Sequence, residues 1–351
     1  MIKTINSWRG IIAVVVVLFH GGMTVFWDLC AAGVTFFFIV SAFLLMMRHP
    51  FETLTARDYR NFVFGHAARL YPLNWLALAL MIVLALAFHS TTIDWLNAAL
   101  TALLLHSWSP VHDMHYGINP VAWFSCVLMF CYVVYPLLAH LTRRWRWYHL
   151  AIAIILMSLI PGAILPGLDI PGREAIYVNP LAHVIDFTMG IMVFRIYTLL
   201  KPRCQAVGFV RASLIDVALL LLFGLVILIR NKTTWVTPWE DVLIWLVPQG
   251  AILLAMALLN GQEGIVGRIL KWQPLQWLGS ISFEVYMLQF VAFLIFNHLV
   301  APVAGHFGIM AYDYKHIGVW LVLLPMAWLV NRYFSRPLMA LIKRKFQNND
   351  R

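Results

Sequence analysis

Near the start of the chain, two ionisable side chains bracket an apolar run: residues 8–22 read WRGIIAVVVVLFHGG. Arg9 opens it, His20 closes it, and nine consecutive apolar residues, Ile11 to Phe19, lie between them. An imidazole in such a run can stay neutral, which avoids most of the cost of a buried charge. It can then work as a base or a nucleophile. A guanidinium serves a different purpose: its planar fork donates to phosphate in a fixed geometry, and near a membrane surface it can snorkel to water. The two are eleven positions apart. On one helix that spacing leaves them some 20° apart in azimuth and roughly 16 Å apart along the axis. The shared face would carry a cation at the inner mouth of the membrane and an imidazole near its middle. Ser41, in the next apolar run (GVTFFFIVSAFLL), counts to about the depth of His20. A membrane serine commonly bonds the carbonyl four residues back on its own helix, so Ser41 reads as packing or positioning. Each residue alone has a bland explanation, with His20 satisfied by a neighbouring helix and Arg9 by the interface. A titratable group inside a membrane segment more often marks function, and the spacing makes the pair more informative than either member.

Long apolar segments must position these residues, and the composition supplies them. The 351-residue chain is 62% hydrophobic and 11% charged, where soluble domains carry about 25% charged residues. Its mean hydropathy is +0.82. Apolar runs of spanning length recur from end to end, which excludes a soluble enzyme and a soluble domain with one anchor. The expectation is an all-α polytopic membrane protein, a single integral-membrane domain over residues 1–351 with no appended soluble domain. Only Lys3 and Arg9 precede the first run and no small-residue cleavage site follows, so it is not read as a cleaved leader. The net charge of +10 would suit a nucleic-acid binder, but the basic residues lie between apolar segments, as membrane orientation requires. No nucleic-acid partner is expected. Cys30, Cys126, Cys131 and Cys204 show neither metal-ligand spacing nor a paired framework, and no metal site is expected.

Hydropathy gives ten segments, near 8–27, 31–47, 70–89, 120–141, 148–165, 179–200, 212–230, 240–260, 279–300 and 316–335. An eleventh stretch, 91–108, is shorter and carries Asp94, Asn97 and His106. The positive-inside rule decides its status. With ten spans, 21 of the 25 Lys and Arg residues fall on the cytoplasmic side, leaving Arg173, Arg230, Lys232 and Lys315 outside. An eleventh span would invert everything after residue 108, including the RRWR loop and the KRK tail. About ten transmembrane helices with both termini cytoplasmic are therefore expected. Residues 91–108 become an outward-side segment, for which a re-entrant path is tolerated where protein covers it.

At this point the chain resembles a known family. Arg9-x10-His20, followed by GVTFFFIVSAFLL and HAARLYPLNW, is similar to the acyltransferase-3 family of membrane O-acyltransferases. That family's opening usually reads RG, apolar residues, FH, then GVDLFFVLSGF and RxxRxxPxY. The resemblance continues in WFSCVLMFCYVVYPLL (Trp123, Tyr132, Pro136), NPLAHVIDFTMG (Phe187, Gly190) and LGSISFEVYMLQ (Gly279, Ser282, Tyr286). It covers essentially the whole chain. Five positions depart from the usual pattern: Ala42 for a glycine, His66 for the first arginine of RxxR, Leu128 for a glutamate, His183 for an arginine and Gln289 for a histidine.

The resemblance implies transfer of an acyl group, most often acetyl, from cytoplasmic acyl-CoA to a carbohydrate hydroxyl across the cell (inner) membrane. In that reaction His20 and Arg9 are the expected catalytic pair, with His20 as base or transient acyl carrier. Arg9, Arg48, His66 and Arg69 gather as cations for the donor's phosphates. Ser41, Trp123 and Tyr132 are expected to position substrate. Acyl-CoA enters as a substrate rather than a resident cofactor; a carbohydrate acceptor and membrane lipid complete the expected partners. Two other classes stay open on the sequence. One is a transporter in which His20 relays protons, although no inverted repeat or pair of broken helices supports it. The other is a membrane sensor or scaffold without chemistry.

Overall fold

The computed structural model describes residues 2–89, 92–164, 173–204, 207–232, 239–307 and 314–348, and all regular structure among them is helical. Each of the ten apolar segments has a helix. They are α1 Lys3–His20, α2 Trp27–Arg48, α3 Ala56–Ala87, α4 Ala122–Leu141 and α5 Trp147–Ile164. There follow α6 Val184–Leu200, α7 Phe209–Lys232, α8 Leu246–Leu258, α9 Ser282–Ile295 and α10 Trp320–Val330. The protein is an all-α polytopic membrane protein. Eight of the ten belong to helical stretches long and apolar enough to cross a membrane; α1 and α8 are the exceptions. With 13 residues, α8 rises about 20 Å against a hydrocarbon core of about 30 Å. The first half of α1 is polar, and that half is buried in protein. Thr4, Asn6 and Ser7 are all buried. Asn6 Nδ2 donates to the Gln276 carbonyl at 2.9 Å, and Gln276 Nε2 donates to the Lys3 carbonyl and the Ser7 hydroxyl. Asn6 and Ser7 are tolerated there because they are paired. Of the counted cations, Arg173, Lys343, Arg344, Lys345 and Arg351 have side chains outside the described residues.

Two boundaries differ from the sequence expectation. The first apolar run does not continue through residue 27. The Gly22 N–H bonds the Phe19 carbonyl at 3.0 Å and the Met23 N–H bonds the Leu18 carbonyl at 3.1 Å, with Gly22 at φ +105°. These paired bonds closing on a left-handed glycine form a Schellman stop. His20 is therefore the last helical residue of α1, not a residue of its middle. The third helix starts earlier than expected, because Thr55 and Asp58 form a reciprocal capping box ahead of Ala56. Arg57, Arg60, His66 and Arg69 consequently ride on α3 itself and not on a loop, and the helix passes through Pro72.

The chain forms two compact units. One holds residues 1–12, 28–54 and 133–280, the other 13–27, 55–132 and 281–351, so α1 and α4 contribute to both. In the first unit α2 runs antiparallel to the start of α1. Ile12 packs into the space left by Gly33, Trp8 meets Phe36 edge-on at 6.3 Å, and the Arg9 guanidinium stands over the Phe37 ring at 5.8 Å. Gly10 faces Gly279 so closely that a Cβ on it would lie 2.7 Å from the Gly279 nitrogen. Gly190 of α6 leaves room for Ala42 and the Ile39 carbonyl of α2, and α6 packs against α5 and α8. At the start of α6, the fully buried His183 at the N-cap and Asp186 in the first turn pair at 2.7 Å, His183 Nε2 facing the Tyr177 carbonyl.

In the second unit α9 packs against α3 and α10. The stretch expected on the outward side contains a helix of eight residues, Trp95–Ala102, about 12 Å long and far short of a span. Asp94 caps its first turn. At its other end α3 supplies the missing donors: Asn74 Nδ2 bonds the Thr101 carbonyl at 2.9 Å, Trp75 Nε1 the Ala102 carbonyl at 2.9 Å and Tyr71 the Leu103 carbonyl at 3.0 Å. The orphan carbonyls of this short helix are thus satisfied by protein.

Candidate active site

The histidine singled out by spacing sits at a junction of three elements in the second unit. The Schellman stop fixes its backbone. From α9, Gln289 Oε1 lies 2.9 Å from His20 Nδ1, and the Phe290 ring lies 5.3 Å from the imidazole. Phe19 borders it from its own helix at 5.2 Å. Beyond the helix end, His316 closes on Gly21 and the Lys315 side chain lies over Gly22, so a cation borders the negative end of the α1 dipole. His20 itself is half-buried, which leaves it reachable.

The hydrogen-bond pattern assigns the ring nitrogens. Gln289 is fully buried, and its Nε2 donates to the Tyr286 carbonyl at 2.8 Å. An amide nitrogen only donates, so that bond orients the amide and turns its oxygen, which only accepts, toward His20. In the neutral ring Nδ1 therefore carries the hydrogen, and Nε2 carries the lone pair that a base or nucleophile needs.

The other candidates fall into two sets. In the first unit Arg9 is partly exposed above Phe37, and the Ser41 hydroxyl donates to the carbonyl of that same Phe37 at 2.7 Å. Ser41 thus belongs beside the Arg9 end of α1, not at the level of His20. The expectation of equal depth fails because residues 21–26 form the turn between the helices and not membrane helix. Arg48 is exposed as the last residue of α2. In the second unit Arg69 is exposed on α3, whereas His66 is packed. Its Nδ1 faces the Phe62 carbonyl at 2.8 Å, and its ring lies 4.2 Å from Phe62 and 4.4 Å from Tyr132. Trp123 and Tyr132 are buried on α4. Tyr132 thus meets a candidate donor-side residue, and neighbouring Phe124 touches Tyr286 of α9 at 5.1 Å.

Sequence reasoning missed Gln289 as a site residue and met it only as a departure from the family pattern. It stands 269 positions from His20, and the only local signal was an amide in an otherwise apolar run.

The family model described as an acyltransferase domain, acyltransferase-3, matches residues 2–332. The chain belongs to this family, and the protein is a multi-pass membrane acyltransferase. Membership replaces the transporter and scaffold alternatives. No curated protein and no solved structure matches the chain.

Proposed function

We propose that the protein is an O-acyltransferase of the cell (inner) membrane that moves an acyl group, acetyl in the first instance, from cytoplasmic acyl-CoA to a hydroxyl of a surface or exported glycan. The observation that carries this reading is the single uninterrupted helix α1, which bears a guanidinium toward its start and an oriented imidazole as its last residue. The two stand about 16 Å apart on nearly one face. A donor with phosphates at one end and a thioester at the other end of a flexible arm can address both.

In the direct route the acceptor's O–H proton passes to His20 Nε2 as its oxygen attacks the thioester carbonyl. The C–O bond forms, the C–S bond breaks, and the imidazolium returns its proton to the departing CoA sulfur. In the two-step route Nε2 attacks the thioester carbonyl, a C–N bond forms and the C–S bond breaks with the CoA thiolate leaving. The acceptor oxygen then attacks the acyl-imidazole, the C–O bond forms, the C–N bond breaks, and the acceptor's proton ends on the thiolate. Both use the same nitrogen. Arg9, Arg48 and Arg69 serve the donor's phosphates as charge-assisted donors. His66 joins them only when protonated, since its Nδ1–H is directed to a carbonyl and its neutral Nε2 accepts rather than donates. Ser41, Trp123 and Tyr132 position rather than react.

The test compares acyl esters on surface and secreted glycans with and without the gene, followed by transfer from labelled acetyl-CoA by the purified protein. Loss of a defined ester in the deletion, restored by the gene, supports the proposal. Unchanged ester content together with no transfer to any surface glycan would refute it.

A further inference from the structure

We propose that Gln289 is the positioning residue that sets the tautomer of His20 and so makes Nε2, rather than Nδ1, the reactive nitrogen. The inference rests on the reading of His20 as the catalytic base or carrier. Its physical basis lies within one unit and in two linked bonds. The Tyr286 carbonyl holds the Gln289 amide nitrogen at 2.8 Å. The amide oxygen is thereby presented to His20 Nδ1 at 2.9 Å. Turning the amide over would set two acceptors, Oε1 and the Tyr286 carbonyl, against each other while offering the ring a donor. Burial of Gln289 denies either group water as a substitute. No described side chain hydrogen-bonds Nε2, and the Val16 carbonyl, one turn back, is a second acceptor toward the ring. The arrangement parallels the way an acceptor on one histidine nitrogen fixes the other as the working atom in catalytic and metal sites. Here the acceptor is a neutral amide, so it orients the ring without adding a charge.

The consequence separates orientation from charge. Gln289→Leu removes the acceptor, releases part of the population into the Nε2–H tautomer and should lower kcat about fivefold, the scale of one ordinary hydrogen bond. The KM for acyl-CoA should stay within twofold. Gln289→Glu keeps an acceptor on Nδ1 but makes it anionic, so turnover should recover at alkaline pH while the acid limb of the kcat/KM profile moves to higher pH. The titratable groups facing this corner from the next element are Lys315 and His316, against Gly22 and Gly21. The profile is therefore repeated with His316→Gln, which should leave the shift in place.

The direct readout is nitrogen NMR of the full-length protein in detergent with labelled histidine. The His20 signal is identified among the 13 histidines by its loss in His20→Ala. Above the ring's titration, the parent and Gln289→Glu should show Nδ1 protonated and Nε2 bare, and Gln289→Leu a mixture. A parent with Nε2 protonated, or a Gln289→Leu protein with unchanged tautomer and parental kcat, overturns the proposal. Parental turnover in His20→Ala would instead remove the catalytic reading on which it rests, and the NMR result distinguishes that failure from failure of the tautomer assignment.

Discussion

Replacing His20 tests the catalytic assignment most sharply, because the structure separates its cost to the fold from its cost to the reaction. The side chain is half-buried and has one side-chain hydrogen-bond partner among the described residues, Gln289 Oε1. His20→Ala leaves that buried oxygen unpaired, at about 1–3 kcal/mol. His20→Asn can still point an N–H toward it and should lose less, yet an amide cannot accept the acceptor's proton. Removing a general base should slow transfer by about 10²–10⁴, equivalent to about 3–5 kcal/mol in the barrier. Thermal unfolding in detergent and turnover from labelled acyl-CoA, measured on both variants, therefore move on different scales. We expect Asn to unfold closer to the parent than Ala does, with both equally inactive. Turnover within threefold of the parent in either variant refutes the assignment of His20 as the reactive group.

Arg9→Ala should weaken acyl-CoA binding about ten- to a hundredfold, the cost of a charge-assisted hydrogen bond, with Arg9→Lys intermediate and His20→Ala unaffected; titration calorimetry with CoA decides. Gly10→Ala places a methyl against the Gly279 backbone at 2.7 Å, where neither chain can yield easily, and should cost about 1–3 kcal/mol, read as a lower Tm. Cysteines at Asp113 and Arg144, both exposed, should differ in whole cells: an impermeant reagent should label the first and spare the second. Burial pushes the His106 imidazole down to about 4, the nearby His115 adding to the effect and the Leu100 carbonyl opposing it. Between the ordinary value near 6.5 and about 4, the unfolded segment binds a proton that the folded one refuses, so stability is full above about 6.5 and is lost as the pH is lowered through that window. The full loss is about 3 kcal/mol. Protection factors of the amides in residues 92–119, which correct for the slower intrinsic exchange in acid, should fall from pH 7 to pH 5, and His106→Asn should flatten the dependence.

The ten apolar segments were legible because each is long relative to the window that detects it, and the Arg9–His20 spacing because both residues lie on one helix. What escaped was local punctuation and distant partnership. Averaged hydropathy ran through Gly21 and Gly22 into Met23 and Phe26, although a glycine pair after a histidine is a helix stop by its own chemistry. That error displaced Ser41 by several turns. Thr55 and Asp58 announced the start of α3 equally openly, masked there by the polar character of the residues that follow. Gln276, which pairs with Asn6 and Ser7, and Gln289 could not be found this way. Each is a lone amide whose meaning comes from a helix more than 260 positions away.

The length of α3 has a consequence for the lipid around the protein. Its 32 residues measure about 48 Å, and even a steep 40° tilt leaves a vertical reach of about 37 Å against a hydrocarbon slab of about 30 Å. The capped end of the helix must therefore stand clear of the bilayer as a stiff post, with Arg57 and Arg60 on its first turns and Arg69 about 14 Å beyond Arg60. Bilayer thickness sets how much of that post stays wet. In a thicker membrane Arg69 sinks toward the acyl chains before Arg60 does, at a fraction of a kcal/mol per ångström. Lipid chain length then tunes how far the cations of α3 stand from the acyl chains.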